Sequence, residues 1–147
     1  MALLESIKAA WSWRGIEPVE VIEINSFGNV IVTTVGGRIW RICPEELKAD
    51  LIADSYSTFE MLRSHPDFVE DWKMTALAAK AEAILGRPGE GRCYCLKYPA
   101  VLGGQYGGDN LATIGIEELV SVAGDMARQI ADRPDGAHVR LETGKHP

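Results

Sequence analysis

No stretch of this chain approaches the ~18 consecutive apolar residues of a membrane-spanning helix. The opening segment, Met1 to Gly15, has no secretory h-region because Glu5 and Lys8 interrupt it, so the chain is expected to remain in the cytosol. Cysteine is scarce. Cys43, Cys93 and Cys95 are odd in number, which argues against the disulfide framework of a secreted domain. Basic charge is not in excess either: the formal net charge is −6 and the pI near 5.1. Free nucleic acid is therefore a poor partner, because gripping phosphates takes a concentrated basic surface. A basic protein fits better, drawn in over a Debye length of ~8–10 Å. Mild acidity that only keeps a protein in solution is the plainer reading of the same charge.

Catalytic signatures are missing as well. His65, His138 and His146 occur in no metal-ligand spacing, and no Gly-x-Ser-x-Gly elbow exists. Gly86-Arg87-Pro88-Gly89-Glu90-Gly91 superficially resembles a phosphate loop. It lacks the Lys-Ser/Thr end and a preceding strand, so it reads as a turn. Cys93 and Cys95 share one face of a strand and Cys43 falls at the end of another. Three thiolates without a fourth ligand do not make a structural zinc site, and buried free thiols account for them better. Asp67, Glu70 and Asp71 open a helix, where the helix dipole favours carboxylates. A thiol nucleophile, for example Cys93 with His138, has no positive support. No catalytic residue, cofactor or metal is expected.

What is present is ordinary globular patterning in 147 residues, 46% hydrophobic and 24% charged, enough for one domain spanning 1–147. Residues 2–13 predict an amphipathic helix, with Trp11 as a core anchor and Trp13 half-buried. Residues 19–24, 29–34 and 38–42 predict an antiparallel three-stranded meander with a two-residue hairpin at Gly36-Gly37. Together they make an N-terminal part of about 1–43. A helical middle, 44–86, is expected to open at Pro44-Glu45-Glu46, to continue through 57–64, and to end with a helix from Asp67 to Leu85. That last helix would bury Phe68, Trp72, Ala76, Ala79 and Ala83. The C-terminal part, 91–143, reads as strand, loop, helix and strand. Its helix carries Ile116, Leu119, Val120, Ala123, Met126, Ala127 and Ile130 on one face. A turn at Asp132–Gly136 would lead to a last strand with Val139 and Leu141 inward. The fold class is α+β: about five largely antiparallel strands with helices packed on one side.

The stretch from Leu96 to Asn110 stands apart. It leaves a strand at Pro99 and carries Tyr106 between Gly103-Gly104 and Gly107-Gly108. Such glycines favour positive φ or close approach of another chain. A ligand cradle, a partner-binding surface and a plain irregular connection all fit that pattern.

Several runs together resemble a bacterial family, the immunity proteins of the type VI secretion system that protect a producing cell from its own DNase effector. They are Asn25-Ser26-Phe27-Gly28-Asn29-Val30 with the following Gly-Gly turn, Asp71-Trp72, Cys95-Leu96-Lys97-Tyr98-Pro99, and Leu102-Gly103-Gly104-Gln105-Tyr106 with Asn110. The last is Gly124-Asp125-Met126-Ala127-Arg128-Gln129-Ile130, closing in Pro134-Asp135-Gly136. The resemblance covers nearly all of residues 3–142. It implies a non-enzymatic inhibitor that binds the toxin in the cytoplasm. On that reading Tyr106 is a rigid anchor, Asp109, Glu117 and Glu118 supply negative charge, and Asn110 supplies adaptable hydrogen bonds. The structural alternative is that Tyr106 packs on the sheet while Asp109-Asn110 caps local backbone. Two other functions stay open: a small-ligand or regulatory module cradling its ligand in the Gly-rich loop 103–108, and a thiol-dependent enzyme.

Overall fold

A computed structural model describes residues 2–131. The first helix, α1 (Ala2–Trp11), buries Leu3, Ile7 and Trp11, three positions at i, i+4 and i+8. A 3-10 turn follows, and Gly15 ends it in the left-handed region, at φ 84°. Trp11 is fully buried, donates its indole N–H to the Val120 carbonyl at 3.1 Å, and stacks on half-buried Trp13. Strands β1 (Pro18–Ile24), β2 (Val30–Thr34) and β3 (Ile39–Cys43) form the expected antiparallel meander. The turn between β2 and β3 is longer than a two-residue hairpin. Gly37 N–H donates to Thr34 O and Thr34 N–H to Arg38 O, with Gly36 and Gly37 both at positive φ.

The segment 44–86 does not begin as a helix. Pro44–Glu46 makes one 3-10 turn, which Leu47 stops by entering the left-handed region at φ 50°. The chain then reverses into β4 (Lys48–Ala53), pairing antiparallel with β3, so the sheet has four strands in the order β1-β2-β3-β4. Next come α2 (Tyr56–Arg63), α3 (Pro66–Lys73) and α4 (Thr75–Leu85). The expected helix 67–85 is thus two helices, broken where Met74 adopts φ 47°. The break shifts the helical phase. Trp72 is buried as predicted, whereas Ala76, Ala79 and Ala83 face solvent and Ala81 is buried instead.

The α+β class with antiparallel strands holds, while the helices divide between the two faces of the sheet. On one face Val30, Val32, Ile42 and Ala49 pack with Leu3, Ile7 and Trp11 of α1. Val120, Ala123 and Ala127 of α5 (Ile116–Ile130) complete that core. On the other, Ile31, Ile39 and Ala53 pack with Phe59 of α2 and with Phe68 and Trp72 of α3. β2 is apolar on both sides, so both must be covered. Strands β5 (Arg92–Leu96) and β6 (Leu111–Gly115) form a separate antiparallel hairpin. Tyr94, Leu96 and Leu111 meet Phe27 and Ala81 in a smaller core. Among the described residues no helix is long and apolar enough to cross a membrane. The expected turn at Asp132–Gly136 and the strand carrying Val139 and Leu141 lie outside the described residues.

Gly124 explains part of the Gly-Asp-x-x-x-Gln-Ile run. A Cβ there would lie 2.5 Å from the Ala10 carbonyl oxygen and 2.6 Å from Ala10 Cβ, so α1 and α5 approach as closely as backbones allow. Gly124→Ala should lower stability by about 1–3 kcal/mol, although alanine is the better helix former. Urea denaturation of the two proteins checks it; equal midpoints would show that α1 gives way without cost.

Candidate functional site

The connection from β5 to β6 is the Gly-rich loop, and one side chain holds it. Asn110 Nδ2 donates to Tyr98 O at 3.0 Å and to Gln105 O at 2.8 Å, while its Oδ1 accepts from Tyr98 N–H at 2.8 Å. Lys97 N–H donates to Asn110 O at 2.7 Å, closing the neck. Inside it, Gly103 sits at φ 103°. A Cβ on Gly104 would fall 1.8 Å from Tyr98 O. Positive φ and close approach, the two reasons for glycine, are both used here. Asn110 therefore serves the backbone, as the structural alternative expects. Tyr106 packs only in part, beside residues of β3 and β4. It remains 44% exposed and its hydroxyl donates to Glu46 Oε2. Partial burial, then the bond to Glu46, raises the phenol far above its ordinary pKa, so it stays a neutral donor.

Glu46 belongs to a cleft of about 510 Å³ lined by Arg41, Glu45, Asp50, Asp71, Met74 and Tyr106 among others. Its floor is a buried polar network. Asn29, fully buried, donates Nδ2 to both Glu45 oxygens, at 2.5 and 3.0 Å. Cys43 Sγ donates to Glu45 Oε1 at 3.0 Å. Asn29 Oδ1 accepts from Arg41 Nε at 3.1 Å and from Nη2 at 2.9 Å. Arg41 Nη1 reaches Asp71 at 2.5 Å, and its guanidinium lies 5.1 Å over the Trp72 ring. Asn29 is fixed in turn by Asn25, whose Oδ1 accepts from the Phe27 and Asn29 amides. Asn25 Nδ2 donates to Trp72 O at 2.9 Å. Reading the sequence alone does not single out Glu45 and Glu46, because beside Pro44 they look like dipole-serving carboxylates of a helix start.

The expected interface residues fall into two groups. Tyr106, Asp109 and Asn110 belong to the loop, beyond the Leu96–Leu111 pair. Glu117 and Glu118 are exposed in the first turn of α5, beyond the Arg92–Gly115 pair at the opposite end of the hairpin. Four residues of strand rise, roughly 13 Å, separate the two ends. Cys43, Cys93 and Cys95 are free and buried. Burial pushes the Cys93 thiol up to about 12, with Cys95 and Glu45 adding to it, and burial raises Cys43 and Cys95 as well. These are poor conditions for a thiolate nucleophile. His65 caps α3 by accepting the Asp67 N–H at 3.3 Å; His138 and His146 lie outside the described residues.

The loop is thus braced by its own backbone and holds an aromatic ring beside the Glu46 carboxylate. Comparison with protein families gives a match. The model described as T6SS immunity protein Tdi1, C-terminal, matches residues 53–127, just over half of the 147-residue chain. The chain belongs to that family of type VI secretion immunity proteins, which are inhibitors and not enzymes, and membership implies a cognate effector toxin as partner. Comparison with curated proteins gives no match. The matched region holds α2 to α4, the β5–β6 hairpin with the whole Gly-rich loop, and α5 as far as Ala127; α1, the first three strands and all of β4 but Ala53 precede it.

Two consequences of the buried polar groups are measurable. Asn29→Ala strands the Glu45 carboxylate without its amide donor and should cost about 3 kcal/mol, read as a lower urea midpoint. A midpoint within experimental error of the parent would mean that the carboxylate finds another donor. The thiols add a pH dependence. A folded pKa above the unfolded value of about 8.5 gives stability that is complete below that pH and is lost as pH rises toward about 12. Alkaline melting curves should show this fall, with a shallower slope in Cys93→Ala.

Proposed function

We propose that this immunity protein neutralises a DNase effector in the cytoplasm of the producing cell, by covering the surface with which the nuclease holds DNA. A nuclease must carry basic groups to grip phosphates, and a chain of formal charge −6 suits such a surface in affinity and in speed of encounter. The observation that supports the reading is the Gly-rich loop inside the matched region, which holds a half-exposed Tyr106 on a rigid frame with its hydroxyl on Glu46. In this proposal Tyr106 is the anchor, Asp109 its acidic neighbour, and Asn110 the brace that fixes both. Glu117 and Glu118 stand at the far end of the hairpin and are not part of this contact. Inhibition follows by exclusion: DNA and the immunity protein compete for one basic surface.

The test uses a candidate nuclease effector taken from the neighbouring genes, made catalytically inactive for binding and active for rescue. Tyr106→Ala combined with Asp109→Lys should raise Kd by about 100-fold, the scale of losing an interface hot spot, without lowering the melting temperature. Cells making the active toxin should survive with the parent protein and die with the double variant. A double variant that melts several degrees early would assign the loop to the fold. Survival of toxin-making cells without any immunity protein would remove the DNase reading altogether.

A further inference from the structure

Large apolar side chains left in solvent are usually scattered, and most here are: Val19 on β1, Val35 in a turn, Leu51 on β4, Met61 on α2 and Ile84 on α4. The Gly-rich loop breaks the pattern. Tyr98 is 54% exposed, Val101 49% and Tyr106 44%, all within nine residues. Asn110 bonds both Tyr98 and Gln105, so positions 98 and 106 stand on either side of one neck. The short helical turn Ala100–Leu102 lifts Val101 between them, closed by Leu102 N–H to Pro99 O and Gly103 N–H to Ala100 O. An apolar crest whose backbone is already fixed loses little entropy when it is covered.

The cleft behind this crest decides what covers it. Arg41 is fully committed to Asn29, Asp71 and the Trp72 ring, and its side chain is only 16% exposed. Its partner Asp71 presents 70% of its side chain to solvent. Lys48 is paired with Asp50 at 3.2 Å, and Glu46 is held in place by the Tyr106 hydroxyl. Arg41 is thus withdrawn from solvent, Lys48 (54% exposed) and Asp50 (52%) offset each other as a pair, and the outward charge left over is that of Asp71 and Glu46. Met74 completes the wall with a flexible thioether, against which an aliphatic stem can lie.

We infer that the toxin-binding surface is centred on the crest Tyr98–Val101–Tyr106 and the cleft bordered by Glu46, Asp50 and Asp71, and that it receives a lysine or arginine side chain of the toxin flanked by apolar residues. The inference rests on the immunity reading above and narrows it. The loop end of the β5–β6 hairpin is the contact, and the α5 end, with Glu117 and Glu118, lies outside it. Tyr98, Val101, Glu46, Asp50 and Asp71 become interface residues.

The experiment measures binding of the inactive nuclease to three variants: Tyr98→Ser with Val101→Ser, Glu46→Lys, and Glu117→Lys with Glu118→Lys. The crest variant should raise Kd about 30-fold, mainly through faster dissociation. Glu46→Lys should slow association about tenfold at low salt and less at high salt. The α5 variant should change Kd by less than about threefold. Hydrogen–deuterium exchange of the parent complex, free of any folding defect in a variant, should protect the amides of residues 97–109 and spare those of 116–119. Protection confined to α5, or a crest variant and Glu46→Lys that both bind like the parent, overturns the placement while the immunity reading stands. No binding by the parent protein overturns the reading beneath it.

Discussion

A carboxylate taken out of water must be given donors, and Glu45 is 6% exposed. Asn29 and Cys43 supply them, and the arrangement that brings them there fixes much of the molecule. Asn29 ends the turn that starts β2, Cys43 ends β3, and Glu45 sits in the 3-10 turn before β4. One buried group thus ties three strands together at one end of the sheet. Arg41 extends the network across the surface to Asp71, so α3 is set by it as well. The neutral Asn29 stands between the buried carboxylate and the guanidinium, and each charge has hydrogen bonds of its own.

The same turn connects the second sheet. Ser26 O accepts the Tyr94 N–H at 2.9 Å, which anchors β5 on the loop that carries Asn29. Gly28, at φ 69°, has Leu119 and Cys93 so near that an added Cβ would meet them at 2.7 and 2.9 Å. Hairpin, α5 and sheet therefore converge on five residues, Asn25 to Asn29. Met74 feels it too: Asn25 Nδ2 lies 3.6 Å from its Sδ and bonds the Trp72 carbonyl just before it. A left-handed conformation costs a methionine of order 1–3 kcal/mol, and these contacts over-determine the bend.

This is also where reading by pattern stops working. α1, α5 and strands β1 to β3 are legible because each repeats its apolar residues with one period over a sufficient length. β4 is not, since Pro44-Glu45-Glu46 has the chemistry of a helix start and Lys48–Ala53 alternates only weakly. What makes a strand of it is pairing with β3 after Leu47 turns the chain. The break at Met74 is equally invisible: Lys73-Met74-Thr75 contains neither glycine nor proline, and the bend is imposed by Asn25, about fifty residues earlier. The run Asn25–Asn29 is recognisable as a motif, and so is the loop with Tyr106. Their chemistry is not, because Asn29 meets Glu45, and Tyr106 meets Glu46, only through tertiary structure. The signal that was readable is the spacing of two asparagines around Gly28, which places two hydrogen-bonding side chains on a turn that glycine allows to close.

Rigidity here follows from burial, and it bears on inhibition. The family match begins at Ala53, so Asp71, Met74 and Tyr106 lie inside it while Arg41, Glu45 and Glu46 precede it. The cleft is assembled from both sides of that boundary. Asn110 freezes the loop against itself, and the Tyr106–Glu46 hydrogen bond then registers the loop on the sheet, whose end Glu45 has already fixed. A change in the buried network would move Glu46, and with it the hydroxyl that reads its position, although neither group touches Asn29. Tyr98 and Val101 of the exposed crest can vary in chemistry without loss of its frame, since Tyr98 and Gln105 are held through backbone atoms, whereas Tyr106 belongs to the frame through its hydroxyl. A scaffold of that kind separates what keeps the loop in place from the side chains it displays, and on the binding surface proposed above those side chains can be fitted to a toxin while the frame stays.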